Sequence, residues 1–266
     1  MTDKCGSIQW GGFAVLFSGR EERCRECPGS LHSMAGWYKE LMFQHSTLLQ
    51  SIIEQRIVPF HVEFKPFVFK SWRNLIKRDT KFLNEYFDDF KKTINFNSDE
   101  IKKKLINLKK IFIVTKKNKK KILIFGNGGS AAIASHFSID LTKNAKIRCT
   151  NYNESDLITC FSNDFGFENW IKMAINYFGD KGDVLIVISS SGKSRNIINA
   201  CTAAKKKRFS KIITLTGHSV NNSVKKHGDI NLWINSKAYN YIENIHQFWL
   251  LSLVDLVIGK TNYSSK

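Results

Sequence analysis

The sequence predicts an α/β protein in which helices alternate with the strands of a parallel sheet. Short apolar runs rich in β-branched residues lie at 122–125, 184–188, 212–215 and 230–234, and the stretches between them have helical character. Loops rich in glycine or serine directly follow the first two runs. Strands that alternate with helices in this way pair in parallel through right-handed crossovers.

Amphipathic helices precede and follow this alternation. Phe82, Tyr86 and Phe90 are spaced by four residues and predict one helix, and Ser98, followed by two acidic residues, predicts the start of a second. The segment 236–258 predicts a long helix that ends at Gly259. Its apolar stripe consists of Ile242, Ile245, Trp249, Leu253 and Leu256.

The composition changes near residue 80. All three prolines, three of the six cysteines and three of the six tryptophans precede residue 75, whereas the remainder is rich in Lys, Ile and Asn. We therefore expect 1–78 to be an N-terminal extension of unknown role: a small extra domain, a helical appendage at 41–57, or a stretch outside the natural folded unit. An ancillary or poorly ordered segment is the favoured interpretation. Residues 79–266 would then form the main domain, including the two helices that precede the sheet.

The net charge of +18 favours anionic partners. The basic runs at 116–121 and 205–208 fall where helices are expected to end, so we interpret them as solvated helix termini and regard a nucleic-acid surface as the less favoured alternative. Cys24 and Cys27 form a lone close pair without the second pair that a structural zinc site needs, which favours free thiols in the cytoplasm. No apolar run approaches the roughly 18 residues of a membrane-spanning helix, and the N-terminus lacks an export signal.

The two loops predict a ligand with a phosphate group. A helix that starts directly after a strand directs unpaired N–H groups and its positive dipole end toward the carboxyl edge of the sheet. The first loop, 126–130, also satisfies a relaxed dinucleotide fingerprint, but the stretch 146–150 is basic and polar where a ribose-binding carboxylate is expected. The second loop, 189–194, is not a nucleoside-triphosphate loop, because Val187 occupies the position of its first glycine.

Several motifs together resemble the sugar isomerase (SIS) domain family, and within it the phosphoheptose isomerases. The resemblance covers about residues 80 to 260. The matching segments are Gly126-Asn127-Gly128-Gly129-Ser130-Ala131-Ala132 leading to His136-Phe137, Asn163-Asp164-Phe165-Gly166-Phe167-Glu168, Ser189-Ser190-Ser191-Gly192-Lys193-Ser194, Ile213-Thr214-Leu215-Thr216-Gly217 and Ile242-Glu243-Asn244-Ile245-His246.

This resemblance implies a three-layer αβα sandwich with a five-stranded parallel sheet. It also implies a homotetramer that is built with the help of the preceding helical pair and has its active sites between subunits. The implied substrate is a phosphorylated ketose, sedoheptulose 7-phosphate, which family members isomerise to a heptose 7-phosphate for surface-polysaccharide synthesis. No nucleotide cofactor is implied. The implied substrate-binding residues are Asn127, Gly128, Gly129, Ser130, Asp164, Ser189, Ser190, Ser191 and Ser194.

Ketose–aldose isomerisation passes through an enediol and needs a base and an acid. His136 and Asp140 lie four residues apart on one predicted helix, and Glu243 and His246 lie three apart on the last. We expect Asp140, Glu243 and His246 to be catalytic. The resemblance also suggests that His136, Asp140 and Glu243 could hold a zinc ion, as in some enzymes of the family.

Three positions depart from the family pattern. Asp140 replaces a glutamate, Glu243 replaces a glutamine, and Leu251 replaces a histidine that serves the family as a catalytic group and metal ligand. Leucine can neither carry protons nor bind metal. Either His246, His218 or another group has taken over, or the protein is a non-catalytic phosphosugar-binding or regulatory protein.

Overall fold

The computed structural model describes residues 7–10, 13–16, 66–95 and 97–262. The chain divides into two compact units, Met1–Lys81 and Phe82–Lys266. In the first unit, strands β1 (Ser7–Trp10) and β2 (Phe13–Leu16) pair antiparallel. The appendage predicted at 41–57 and the close cysteine pair lie outside the described residues, and the boundary after residue 78 stays a prediction.

The two helices expected before the sheet are present as α1 (Pro66–Asn95) and α2 (Ser98–Lys117). Helix α2 begins at the predicted residue, directly after Asn97, whose backbone is left-handed with a φ of 52°. Its first turn carries two acidic residues and its last turn two lysines, which complements the helix dipole at both ends.

The central sheet contains five parallel strands in the order β4-β3-β5-β6-β7. They are β3 (Ile122–Phe125), β4 (Cys149–Thr150), β5 (Val184–Ser189), β6 (Lys211–Thr216) and β7 (Ile230–Trp233). The four strands predicted from apolar runs are confirmed. The chain passes from β3 to β4 on one side and then crosses to β5 on the other, so the order of the strands reverses between β3 and β5.

Helices cover both faces of this sheet. The remaining helices are α3 (Gly129–Lys143), α4 (Ser155–Phe165), α5 (Trp170–Phe178), α6 (Arg195–Lys206), a short 3-10 helix (Lys225–His227) and α7 (Tyr239–Ile258). Helices α2, α3 and α7 pack with alternate strand residues in one core, and α4, α5 and α6 pack with the intervening strand residues in a second. The predicted three-layer αβα sandwich is confirmed.

The amino edge of the sheet is held by buried charge. Asp183, whose side chain is 1% exposed, accepts a hydrogen bond from the backbone N–H of Lys121 (3.0 Å) and lies 2.7 Å from its Nζ. Burial alone would lower the pKa of Lys121, but hydrogen bonds to Asp180 and Asp183 outweigh it and raise that pKa. This ion pair connects the start of β3 to the start of β5. It thereby stabilises the register of these two strands, which determines how the loops at the opposite edge of the sheet are placed.

The basic runs lie at this edge, in the last turns of α2 and α6, as predicted. Cys149, Cys160 and Cys201 are free thiols, and burial raises the pKa of Cys201 to about 12. Across the described residues, no helix has both the length and the apolar character needed to cross a membrane.

Candidate active site

The two loops meet at the carboxyl edge of the sheet, where the strand order reverses. Strands β3 and β5 are hydrogen-bonded neighbours, so the loops that follow them lie side by side. The side chains of Asn127 and Asn196 exchange two hydrogen bonds across this point, with N–H to O distances of 3.0 and 2.8 Å. In open α/β sheets this crevice is where ligands bind.

The first loop makes its turn with a backbone that only glycine adopts readily. Gly128 has φ 54° and ψ −125° at the N-cap of α3. The next residue, Gly129, lies against the carboxylate of Glu243 from α7, and a Cβ at this position would collide with that group. The carboxylate therefore occupies the positive end of α3 that the sequence suggested for a phosphate.

The second loop presents hydroxyl groups that are not used for helix capping. Ser194 stands at the N-cap of α6 but makes no side-chain cap, and its Oγ instead accepts a hydrogen bond from Ser189 Oγ at 3.1 Å. Ser190 is 6% exposed, and its Oγ has no hydrogen-bond partner among the described residues. An orphaned buried hydroxyl beside two further serines suits an oxyanion ligand.

The shape of this serine loop depends on a close approach from the chain after β6. Gly192 has φ 66°, and any side chain there would collide with Asn222, which is 2% exposed. Val224 donates its backbone N–H to the Gly192 carbonyl at 2.9 Å, and Gly217 donates to the Ser190 carbonyl at 3.0 Å. The loop is therefore held on both sides before any ligand arrives.

His136 and Asp140 face each other on α3, about two and three helical turns beyond the first loop. His136 Nε2 lies 3.3 Å from Asp140 Oδ2, and Gln247 Nε2 on α7 lies 3.3 Å from His136 Nδ1. The Gln247 amide therefore contacts one ring nitrogen of His136, and the other ring nitrogen lies against the Asp140 carboxylate. The contacts from Gln247 on α7 to His136, and from His136 to Asp140, thus orient the partly exposed Asp140 carboxylate.

His246 lies in the core beneath the site. Its side chain is fully buried, its Nε2 lies 3.4 Å from the carbonyl oxygen of Thr216, and burial lowers its pKa to about 3. A group that exchanges protons with a substrate must reach it. The buried position of His246 does not favour the catalytic role expected from the sequence, and we place it among the structural residues.

The side chains suggested as zinc ligands do not converge. His136 and Asp140 pair with each other, while Glu243 lies against Gly129. No three His, Cys, Asp or Glu side chains within the described ranges form a cluster that could hold a metal ion. The donor set of one chain does not fit the expected zinc site, and no reaction step is assigned to a metal here.

The remaining predicted residues occupy different surroundings. Ser130 is 3% exposed at the start of α3, behind the first loop. Asp164 is exposed near the end of α4, and the hydrogen bonds found for its carboxylate come from Asn163 and Cys160 of the same helix. Leu251 is partly buried on α7, one helical turn beyond Gln247.

Three site residues were missed at the level of sequence: Asn196, Asn222 and Gln247. Asn196 stands two residues after Ser194, the last residue of the serine motif, and this proximity was the one available signal. The positions of Asn222 and Gln247 depend on how the chain after β6 and helix α7 pack against the loops. Their spacing in the sequence carries no such information.

A doubly wound α/β fold with glycine- and serine-rich loops at its switch point is typical of proteins that bind small phosphorylated ligands. A sequence model described as the SIS domain matches residues 85–217, half of the chain. The chain belongs to the SIS domain family.

Relatives with assigned names show which members of the family this chain is similar to. A phosphoheptose isomerase of Buchnera aphidicola subsp. Acyrthosiphon pisum (strain Tuc7) is 35% identical over 175 residues, which cover 62% of this chain and 88% of the relative. One from Glaesserella parasuis serovar 5 (strain SH0165) is 40% identical over 129 residues, covering 46% of this chain and 67% of the relative.

Solved structures agree in fold. A phosphoheptose isomerase from Francisella tularensis superimposes with a TM-score of 0.63 at 25% identity, covering 68% of this chain and 98% of that one. One from Neisseria gonorrhoeae gives 0.64 at 24% identity with the same coverage, a likeness of fold.

Proposed function

We propose that this protein is a phosphosugar isomerase that interconverts sedoheptulose 7-phosphate and an aldoheptose 7-phosphate through an enediol. The observation that carries the proposal is the meeting of the two loops through Asn127 and Asn196 at the switch point of the sheet. The relatives named phosphoheptose isomerase support the choice of substrate.

The serine loop is the proposed phosphate site. Ser189, Ser191 and Ser194 supply hydroxyl groups, and the unpartnered Oγ of Ser190 offers a further donor. A phosphate at the first loop would face the carboxylate of Glu243, and like charges repel. The sugar therefore extends from the serine loop toward the first loop, with its reactive carbons near α3 and α7.

Asp140 is the proposed base. Its carboxylate takes a proton from C1 of the ketose, the electron pair of that C–H bond forms the C1–C2 double bond, and the carbonyl oxygen on C2 takes up a proton to give the enediol. The O1 hydroxyl then loses its proton as C2 gains one, which yields the aldose. The contact with His136 orients the Asp140 carboxylate, and Glu243 is the second group proposed to exchange protons with the hydroxyls.

Further features belong to the same proposal. The protein would act in the cytoplasm as a homotetramer, and its product would supply the synthesis of lipopolysaccharide precursors.

A direct assay tests this function. Purified protein is incubated with sedoheptulose 7-phosphate, with and without added zinc, and the formation of aldose is followed. Binding is measured in parallel by calorimetry. Turnover supports the isomerase, and a protein that neither binds nor converts the sugar would overturn the proposal.

A second candidate is a non-catalytic SIS protein that binds a phosphosugar and regulates a partner. Leu251 favours it, because the family's catalytic histidine is absent at that position. Tight binding of sedoheptulose 7-phosphate without turnover, in either the presence or absence of zinc, would select this candidate over the enzyme.

A further inference from the structure

The amide pair between Asn127 and Asn196 is unusual in its burial and in its span. The two residues are 69 positions apart, and Asn196 is 2% exposed while Asn127 is partly exposed. Each side chain donates one N–H to the oxygen of the other, at 3.0 and 2.8 Å. The pair thus joins the loop after β3 to the first turn of the helix after β5.

The hydrogen-bonding capacity of the two side chains is divided unequally. The oxygen of Asn196 accepts from Asn127 Nδ2 and also from the backbone N–H of Ile197 at 3.0 Å, so both of its lone pairs are engaged. Asn127 keeps one N–H and one lone pair on the more exposed side of the pair. Because an amide can rotate to exchange its oxygen and nitrogen, only its partner determines which atom faces the crevice.

We propose that Asn196 is a positioning residue that acts through Asn127. It fixes the orientation of the Asn127 amide and the distance between the two loops, so that a sugar held by its phosphate at the serine loop meets the free N–H of Asn127. Asn196 itself does not touch the substrate. This inference rests on the proposed phosphosugar site.

Replacing Asn196 by aspartate tests the orientation without changing the shape of the side chain. Asn196→Asp substitutes a second acceptor for the amide nitrogen, so the oxygen of Asn127 would then face a carboxylate oxygen. One hydrogen bond is lost and a repulsion replaces it, which releases the Asn127 amide. The serines of the phosphate loop are left in place.

The experiment compares Asn196→Asp, Asn196→Ala, Asn127→Ala and the double alanine variant. Asn199→Ala is the matched control: it lies on the same helix and bonds to the Glu168 carbonyl at 2.8 Å, away from the first loop. Calorimetry measures the affinity of each variant for inorganic phosphate and for sedoheptulose 7-phosphate, steady-state kinetics measures kcat and KM, and thermal melts check folding.

Phosphate affinity is expected to stay within about twofold in the alanine variants, whereas Asn196→Asp adds a negative charge beside the phosphate loop and lowers it. The kcat of both Asn196 variants falls about tenfold or more. The double variant should be no worse than Asn127→Ala, because Asn196 acts only through that residue. If the losses of kcat in the two single alanine variants multiply in the double variant, the proposal is overturned. An Asn196 variant with unchanged kcat would also overturn it. If the chain proves to lack turnover, selective loss of sugar affinity with retained phosphate affinity decides the same question. Should Asn196→Ala fail to fold, the isosteric aspartate variant decides it.

Discussion

Asp140 is the residue on which the proposed chemistry depends most directly. An asparagine in its place would keep the shape but could not take a proton, so Asp140→Asn is expected to lower kcat by about 10² to 10⁴ while calorimetric affinity for the sugar changes little. Asp140→Glu is the control, since the family carries a glutamate there, and it should retain turnover. Full activity in the asparagine variant would remove Asp140 from the mechanism.

His246 makes the stability of the fold depend on pH. Its pKa is lowered from 6.5 to about 3 by burial, so between these values the unfolded chain binds a proton that the native state does not. Stability from this residue is therefore complete above pH 6.5 and falls by about 1.4 kcal/mol per pH unit below it.

Urea unfolding between pH 7 and pH 4 checks this expectation. Wild-type protein should lose stability more steeply than His246→Gln, which keeps a donor for the Thr216 carbonyl but does not titrate. The imidazole C–H resonances of His246 should also stay unshifted over this range. A resonance that titrates near pH 6.5 in the native protein would contradict the buried, neutral assignment.

At the scale of the element, the serine loop is the feature whose mutation should weaken phosphosugar binding most specifically. Ser191→Ala combined with Ser194→Ala removes two hydroxyls, and a hydrogen bond to a charged group contributes about 1.5–3 kcal/mol. We expect phosphosugar affinity in calorimetry to fall at least about tenfold. Ser210→Ala, at the opposite edge of the sheet, is the matched control and should bind normally. Unchanged affinity in the double variant would refute the phosphate assignment.

The elements that the sequence predicts well are those whose signal is local. The run at 122–125 is apolar at every position because both faces of β3 are buried, and the strand ends where predicted. Strand β4 has two half-buried residues at the sheet edge, Cys149 and Thr150, and gives no such run. The family resemblance, and not the periodicity, supplied the fifth strand.

The residues of the site follow the same rule. Its two loops could be predicted because glycine and serine at a strand-to-helix junction are a local signal. The partners of those loops could not, because Asn196 and Glu243 reach the first loop only through the sheet register and the packing of α7. His246 differs: it lies four residues after Ile242 and three before Trp249, so the apolar stripe of α7 already indicates that it faces inward.

At the scale of the whole molecule, helices α1 and α2 expose many large apolar side chains to solvent. Tyr86 and Phe90 pack edge-on against Tyr241, at ring distances of 4.6 and 5.7 Å, which accounts for one face of α1. Other large apolar side chains of this pair stay exposed. They are Phe82, Leu83, Phe87, Ile106, Ile113 and Val114. Exposed apolar groups that follow a helical face are typical of a subunit interface.

We therefore predict that association depends on this face, as the family resemblance to a homotetramer implies. Leu83 and Phe87 lie four residues apart on α1 and are 48% and 57% exposed, so burying the exposed half of each would contribute about 1 kcal/mol or somewhat more. Leu83→Asp with Phe87→Asp should dissociate the assembly in sedimentation velocity and lower turnover with it, because the resemblance puts active sites between subunits. Lys92→Asp, which changes an exposed charge about half a turn around the same helix from Leu83, should leave a tetramer. A wild-type protein that sediments as a monomer, or a double variant that stays assembled, would show that this face is not the interface.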